Sequence, residues 1–152
     1  MGNRCPAVGD RAGAASHPCR HVRAALTGFN GNDTLLGGDG NDTLFGGFGA
    51  DSMVGGSDTF HYGAVTDGGD RITDFTTGVG GDKLDVANLL TGFTATSDPN
   101  AFVRCVSSGA NTIVQIDANG AVGGATFTSM CTLAGVTTTT DALVSGGNLM
   151  VE

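Results

Sequence analysis

The chain has 152 residues, of which 27 are glycine, and its formal net charge at pH 7 is −8. So much glycine favours turns and excludes a helical bundle, because each glycine inside a helix costs about 1 kcal/mol relative to alanine. Four Arg and one Asp give residues 1–25 a charge of +3, whereas three basic and fourteen acidic groups give residues 26–152 a charge of −11. We therefore expect attraction of cations and no binding to nucleic acid, and no apolar run is long enough for an integral membrane segment.

Residues 1–25 show neither the period of a helix nor that of a strand, and they lack the apolar core of an ordinary secretory signal peptide. We predict a disordered or non-native N-terminal tail here. His17, Cys19 and His21 bring three soft metal ligands together, but no zinc-ligand spacing surrounds them. A flexible, arginine-containing leader is therefore favoured over a metal site.

Residues 26–62 contain three consecutive nine-residue units that begin at Gly28, Gly37 and Gly46. They follow the pattern G-G-x-G-x-D-x-U-x, where U is a large apolar residue, and a fourth unit from Gly55 to His61 lacks two turn residues. The glycine-rich half predicts a turn, and the last three residues predict a short strand whose middle side chain points inward. A disordered glycine-rich linker is the alternative, but it does not explain why the Asp and the U residue recur in phase. Two units complete one coil, so that four residues line a narrow core alternately from its two sides: Leu35, Leu44, Met53 and Phe60.

Apolar burial alone is too small to hold such a coil together. Burying one Leu or Phe contributes about 1.5–3 kcal/mol, whereas ordering nine residues costs on the order of 10 kcal/mol. The turn carbonyls and the Asp carboxylates form a concave cage of oxygen atoms, which is the ligand set that Ca²⁺ prefers. Because each turn stacks on the turn two units away, we expect Asp33 to share an ion with Asp51. The same stacking pairs Asp42 with Asp58, where the shortened fourth unit weakens the match.

The candidate calcium ligands are the residues of these turns. Asn30 and Asp39 occupy the third turn position, where the carbonyl is the expected ligand and the side chain assists, whereas Phe48 offers only its carbonyl. Asn32 and Asn41 suit a left-handed turn, so a structural role is favoured for their side chains. The full candidate set is Gly28, Asn30, Gly31, Asn32, Asp33, Gly37, Gly38, Asp39, Gly40, Asn41, Asp42, Gly46, Gly47, Phe48, Gly49, Asp51, Gly56 and Asp58.

Residues 63–152 are predicted to form a C-terminal cap. In its first, turn-rich segment, Asp70 and Asp74 are either further calcium ligands or turn caps. The predicted fold class is all-β, with a short parallel β-roll at residues 26–62 that continues into an antiparallel β cap. Strands are expected at residues 102–106, 112–117, 125–133 and 147–151.

Other features of the cap are local. Residues 86–90 are expected to form one or two helical turns with Asp85 as N-cap, and a capped short helix is expected before the last strand. The loop at residues 117–120 is favoured as a plain turn over an ion site. Cys105 and Cys131 lie in apolar contexts, which favours buried free thiols, with a disulfide between them as the alternative.

Two parts of the sequence resemble a known family. The units of residues 28–54, followed by GGSDTFHYG, DRITDF and GDKLDVANLL, resemble the C-terminal end of RTX (repeats-in-toxin) proteins. The segment FVRCVSSGANTIVQIDANGAVGGATFTSMCTLAGV and the ending ALVSGGNLMVE resemble the type I secretion C-terminal target domain of large bacterial adhesins and related exoproteins. The resemblance implies an extracellular or cell-surface protein of Gram-negative bacteria with an uncleaved C-terminal export signal. Its partners would be calcium ions and the type I secretion machinery, which consists of an ABC transporter, a membrane fusion protein and an outer-membrane channel.

The expected function is that of a calcium-binding module that folds after export. Calcium sites with a Kd near 10⁻⁴–10⁻³ M stay empty in the cytosol and fill outside the cell. We expect no catalysis and no catalytic residues, because His17, His21 and His61 lie in no HExxH motif and no GxSxG motif is present. The alternatives are the tail of a secreted metalloprotease-like or lipase-like hydrolase and a purely structural adhesin module.

Overall fold

The computed structural model describes residues 15–16, 23–120 and 122–152, with residues 15–16 described by their backbone only. Within these ranges the strands are β1 (Ala15–Ser16), β2 (Ala25–Asn30), β3 (Thr34–Leu36), β4 (Thr43–Phe48), β5 (Ser52–Val54), β6 (Thr59–His61), β7 (Asp70–Ile72), β8 (Lys83–Asp85), β9 (Val103–Ser108), β10 (Asn111–Ile116), β11 (Thr128–Leu133) and β12 (Leu149–Met150). The α-helices are α1 (Pro99–Phe102) and α2 (Thr140–Ser145), and 3₁₀ turns lie at Val65–Asp67 and Ala87–Leu89. None of the helices in the described part of the chain has the length and apolar character needed to cross a membrane.

The chain is all-β, since strands far outnumber the short helices, and strands β1 to β8 alternate between two sheets. The five-stranded sheet has the order β12-β8-β6-β4-β2, and every pairing in it is parallel. The seven-stranded sheet has the order β1-β3-β5-β7-β11-β10-β9; it is parallel from β1 to β11 and antiparallel from β11 to β9. The short three-residue strands therefore stack on strands two units away in the sequence, not on their immediate neighbours.

The inward residue of each short strand lies in one continuous core. Leu35 pairs with Met53 in the seven-stranded sheet, and Leu44 pairs with Phe60 in the five-stranded sheet. This is the register that the nine-residue period predicts, and it places the large apolar residues from the two sheets against each other. The buried residues of this core are Leu26, Leu35, Leu44, Met53, Phe60, Ile72 and Leu84.

Parallel pairing extends beyond residue 62, where the sequence analysis ended the roll. Strand β7 pairs with β5, and Ile72 takes the position beside Met53. Strand β8 pairs with β6, and Leu84 takes the position beside Phe60. The downstream segment is therefore not purely antiparallel, because fully buried apolar residues continue both parallel ladders.

Parallel pairing also begins earlier than expected. Strand β1 at Ala15–Ser16 pairs in parallel with β3, so part of the segment predicted to be a disordered tail is a strand. Strand β2 starts at Ala25, and Leu26 is buried beside Leu44. His17, Cys19 and His21 lie outside the described residues.

The strands of the downstream region differ from the expected ones mainly at their starts. The first begins at Val103 because Phe102 ends α1, whose N-cap Asp98 accepts a hydrogen bond from the Asn100 backbone N–H at 2.9 Å. The third begins only at Thr128, because the Asp117 carboxylate accepts the Thr126 N–H at 3.0 Å and holds the preceding segment in a turn.

The helical parts follow the sequence more closely. One 3₁₀ turn forms at Ala87–Leu89, but its N-cap is Val86 and not Asp85 as predicted. The Asp85 carboxylate lies one residue earlier and accepts the Ala87 N–H at 3.3 Å. Helix α2 is capped by Thr139, which accepts the Ala142 N–H at 3.2 Å.

The two described cysteines are free thiols. Cys105 and Cys131 pair with Val114 from opposite sides, so two strand spacings separate them. That separation is about 10 Å, beyond the roughly 7 Å between Cα atoms that a disulfide can bridge. Burial raises the pKa of the Cys131 thiol to about 12.

Candidate metal centre

Buried aspartates form two ladders along the turns that join the sheets. In the first ladder, the Asp33 N–H donates to Asp51 Oδ1 at 2.8 Å, and the Asp51 N–H donates to Asp70 Oδ1 at 2.9 Å. In the second, the Asp42 N–H donates to Asp58 Oδ1 at 2.8 Å, and the Asp58 N–H donates to Asp82 Oδ1 at 2.7 Å. The structure thus brings together the two aspartate pairs that the sequence predicts, and it adds one more aspartate to each ladder. All six carboxyl groups are at most 5% exposed.

The second carboxylate oxygen of the ladder aspartates, Oδ2, indicates what these turns can bind. Asp42 Oδ2, Asp51 Oδ2 and Asp58 Oδ2 are buried and have no hydrogen-bond partner. A buried carboxylate oxygen without a partner costs several kcal/mol unless a proton or a cation compensates it. The turns therefore present negative charge that requires a positive counterpart.

Glycine opens the space that these oxygens face. A Cβ atom at Gly37 would lie 2.7 Å from Asp58 Oδ2 and 3.0 Å from Asp42 Oδ2, so both unpartnered oxygens converge beside that glycine. In the neighbouring ladder, a Cβ at Gly28 would lie 2.5 Å from the Gly46 carbonyl oxygen and 2.7 Å from Asp33 Oδ2. The first glycine of each unit is thus needed because a side chain there would collide with the surrounding oxygens. Its backbone φ does not require glycine, since any residue can adopt it.

Other glycines of the units set the shape of the turn. Gly38, Gly40, Gly47 and Gly49 all have φ between 86° and 137°, which is the left-handed region that favours glycine. In the first unit the corresponding second position is Phe29, which has a φ of 75° and a side chain that is 58% exposed. This phenylalanine holds a strained backbone without contributing to the core.

Burial and crowding raise the pKa values of several ladder carboxylates. Burial, together with repulsion from neighbouring carboxylates, raises the pKa of Asp58 to about 6 and that of Asp70 to about 7. Burial likewise raises the pKa values of Asp51, Asp74 and Asp82. A cation among these groups would reverse the shift, since it favours the ionised form.

The donor set fits Ca²⁺. Among residues 23–120 and 122–152, no three His, Cys, Asp or Glu side chains come close enough to bind a metal ion by themselves. A cation beside Gly37 would meet the Oδ2 atoms of both Asp42 and Asp58. Backbone carbonyls also line the stacked turns, since a Cβ at Gly56 would lie 3.0 Å from the Gly40 carbonyl oxygen and 3.2 Å from that of Gly38. An all-oxygen set of this kind suits Ca²⁺ and disfavours the metals that prefer nitrogen or sulfur.

Several predicted ligands have side chains that lie away from the buried oxygens. The side chains of Asn30, Asp39 and Asn41 are exposed, which leaves their carbonyls as the candidate ligands. Asn32 Oδ1 accepts the Ala50 N–H at 3.1 Å, a structural contact between adjacent turns. The Phe48 carbonyl accepts the Gly31 N–H at 2.8 Å.

Asp82 is the ladder residue that the sequence analysis missed. A signal for it exists, because each ladder aspartate stands two residues before a buried apolar residue. Asp70 precedes Ile72 in this way, and Asp82 precedes Leu84. Asp74 acts differently: its Oδ2 accepts the Gly55 N–H at 2.9 Å, and its Oδ1 is buried without a partner.

Comparison with known proteins agrees with this geometry. A family model of the RTX calcium-binding nonapeptide repeat matches residues 27–59 in four copies. The matched segment contains the two stacked aspartate pairs and ends before Asp70 and Asp82. No match was found among curated proteins. Residues 27–59, with their buried aspartates and converging oxygens, are therefore RTX calcium-binding nonapeptide repeats.

Proposed function

We propose that the chain is a calcium-dependent folding and export module of a secreted bacterial protein, in which residues 26–62 form a parallel β-roll and residues 63–152 form its β cap. One observation carries this proposal. The buried Asp42 and Asp58 direct their unpartnered oxygens to the same space beside Gly37.

The buried carboxylates make folding depend on a bound cation. When they are ionised and lack a cation, they are desolvated and repel one another, so the turns oppose folding. Asp33 with Asp51 and Asp42 with Asp58 would hold the ions, together with turn carbonyls. When bound, calcium supplies two positive charges and accepts six to eight oxygen ligands.

The calcium concentration of the compartment then determines whether the chain folds. For a Kd of 10⁻⁴–10⁻³ M, about 10 mM calcium stabilises the folded chain by about 1.4–2.7 kcal/mol per site. Cytosolic calcium is far below this range of Kd. The chain would therefore remain unfolded before export and fold at the cell surface or in the medium.

The residues that follow the repeats would serve export and capping. The resemblance of this region to type I secretion target domains supports recognition by an ABC transporter, a membrane fusion protein and an outer-membrane channel. Strand β11 pairs with β7, and strand β12 pairs with β8. The same region would therefore cover the strand edges at the end of the coil, which would otherwise be open to pairing with other chains.

No catalytic role is included in this proposal. His61 lies in strand β6, and its Nδ1 atom is 3.0 Å from Asp85 Oδ2 of the paired strand β8. This contact supports a structural role for His61 as a residue that links two strands.

Circular dichroism during a calcium titration tests calcium-dependent folding. The β signal should rise between excess chelator and about 10 mM Ca²⁺, roughly tenfold above the weak end of the expected Kd range. The double variant Asp42→Asn/Asp58→Asn keeps both Oδ1 acceptors but loses the charge, so its midpoint should move to higher calcium. Asp39→Asn is the control for the chemical change at each site, because it makes the same Asp-to-Asn replacement, with loss of one negative charge, at an exposed side chain. No gain of β signal in the unmodified chain would refute the calcium switch.

A deletion tests export separately. Removing residues 143–152 should abolish secretion from a bacterial strain that carries a compatible type I transporter. Secretion at the unmodified level would show that the calcium sites serve a purely structural module and that the export proposal is wrong.

A further inference from the structure

The side chain of Asn148 joins the last strand to a distant turn. Asn148 is 1% exposed and directly precedes β12. Its Nδ2 donates to the carbonyls of Asp82 at 2.6 Å and Gly78 at 3.1 Å, and it lies 3.5 Å from the Thr76 carbonyl oxygen. Its Oδ1 accepts the Gly78 N–H at 2.6 Å. One amide therefore fixes the turn at residues 76–82 at both ends and in its middle.

That turn is rich in glycine. Gly78 and Gly80 have φ values of 96° and 83°, and Val79 between them is 97% exposed. Within the turn, the Gly81 N–H bonds to the Gly78 carbonyl at 3.0 Å, and the Asp82 N–H bonds to the Thr76 carbonyl at 2.9 Å. These bonds close the turn, but its glycines leave the backbone free to adopt other conformations, so contacts from other segments help to select this one.

The same turn positions the last carboxylate of the second ladder. Asp82 Oδ1 accepts the Asp58 N–H, and Asp82 Oδ2 accepts the Thr76 N–H at 2.7 Å. Asp58 in turn directs its unpartnered Oδ2 into the candidate calcium site beside Gly37. A continuous set of contacts thus runs from Asn148 through the turn to the repeats.

Strand β12 is held in place by hydrogen bonds from β8 and the residue that follows it. The Leu84 N–H donates to the Asn148 carbonyl at 2.8 Å, and the Val86 N–H donates to the Met150 carbonyl at 3.0 Å. Leu149 is 7% exposed and packs in the core. Docking of β12 therefore requires β8, which immediately follows Asp82.

We propose that Asn148 is a positioning residue that couples docking of β12 to calcium binding by the repeats. The coupling rests on the proposed calcium-dependent function. In the calcium-free chain, residues 148–150 are undocked and accessible. In the calcium-bound chain they are held in the five-stranded sheet, so the proposed export region changes its accessibility when the repeats fold.

The test uses the full chain folded in calcium and measures ion release after mixing with a fluorescent chelator. Asn148→Ala removes the amide, and the isosteric Asn148→Asp keeps an acceptor for Gly78 but faces three carbonyls with a carboxylate. Both should release calcium faster than the unmodified chain, by about tenfold for Asn148→Ala, which corresponds to about 1.4 kcal/mol. The matched control is Asn119→Ala, which removes a local bond from Nδ2 to the Val122 carbonyl and should change release less than twofold.

Hydrogen exchange distinguishes coupling from simple support of the strand. In calcium, the amides of Leu84 and Val86 report β12 docking, since both donate to its carbonyls. If Asn148→Ala speeds their exchange but leaves calcium release unchanged, Asn148 only supports the strand and the proposal is wrong.

A second variant tests reciprocity and does not depend on the amide. Leu149→Ala weakens β12 packing without touching the turn, and coupling requires that it also speed calcium release. An unchanged release rate in that variant would overturn the coupling. Absence of calcium binding by the unmodified chain would instead overturn the proposed function together with this inference.

Discussion

Replacing Gly37 by alanine should remove one calcium ion from the folded chain. The new Cβ would lie 2.7 Å from Asp58 Oδ2 and 3.0 Å from Asp42 Oδ2, in the space where the two unpartnered oxygens converge. Gly37 does not have a positive φ, so alanine introduces no left-handed backbone strain. The effect of the substitution should therefore come from crowding the oxygens and from loss of the ion.

These two effects have different calcium dependences. Crowding in a packed site costs about 1–3 kcal/mol at every calcium concentration. Loss of one ion costs about 1.4–2.7 kcal/mol at 10 mM calcium, if the Kd is 10⁻⁴–10⁻³ M. The free energy of unfolding should therefore fall by about 2.4–5.7 kcal/mol at that concentration. Its slope against the logarithm of calcium concentration should decrease by the contribution of one ion.

Urea unfolding at several calcium concentrations measures both quantities. The matched control is Gly63→Ala, because a Cβ there would meet no atom closer than 3.5 Å and its φ is not positive. That variant should keep the slope of the unmodified chain. If Gly37→Ala lowers the free energy of unfolding but keeps the full slope, the space beside Gly37 holds no ion and our interpretation of the converging oxygens is wrong.

Three further predictions concern other parts of the chain. Because burial raises the pKa values of Asp58 and Asp70 to about 6 and 7, the calcium-free folded chain binds more protons than the unfolded chain between about pH 4 and 7. Its stability should therefore rise as the pH falls through that window; circular dichroism in chelator should show more β signal at pH 5 than at pH 8, and the opposite order would contradict the assignment. Phe29→Gly should stabilise the folded chain by about 1 kcal/mol through relief of the strained backbone. Phe48→Gly is the control at a similarly exposed position without a positive φ, and it should cost about 0.5–1 kcal/mol. Urea unfolding in calcium compares the free energies of unfolding of the two variants. Cys131 should resist alkylation in the folded chain, because it is buried and its thiol pKa is about 12; rapid labelling seen by mass spectrometry would show that the strand opens.

The repeats could be predicted from the sequence because the residues that each turn needs recur within a few positions of one another. The Asp and the apolar residue two positions later recur at a fixed spacing, and this alone predicted the register of Leu35 with Met53. Their continuation to Asp70 and Asp82 is harder to see. The distance from Asp51 to Asp70 is 19 residues and that from Asp58 to Asp82 is 24, so the insertions break the period while the stacking persists.

The region after the repeats was predictable only in its local features. The β9–β10 hairpin and the caps of α2 depend on neighbouring residues, and the sequence indicates them. The parallel pairing of β11 with β7 joins Cys131 to Asp70, residues that are far apart in the chain. No local pattern specifies such a partner, because burial of one face of β11 is satisfied by any strand with a complementary apolar face.

The hydrogen bonds that the ladder carboxylates accept from the stacked turns all run in one direction. Each backbone N–H donates to the carboxylate of a later turn, from Asp33 to Asp51 and on to Asp70, and from Ala24 to Asp42 and onward. Ala24 receives this support but has no carboxylate to offer an earlier turn. The coil therefore has a polarity: loss of an aspartate removes support from the turns that precede it, while the turns that follow keep theirs. Loss of the Asp82 carboxylate should therefore weaken the turn of Asp58, whereas the turn of Asp82 keeps the backbone bond from the Lys83 N–H to the Asp58 carbonyl at 2.8 Å.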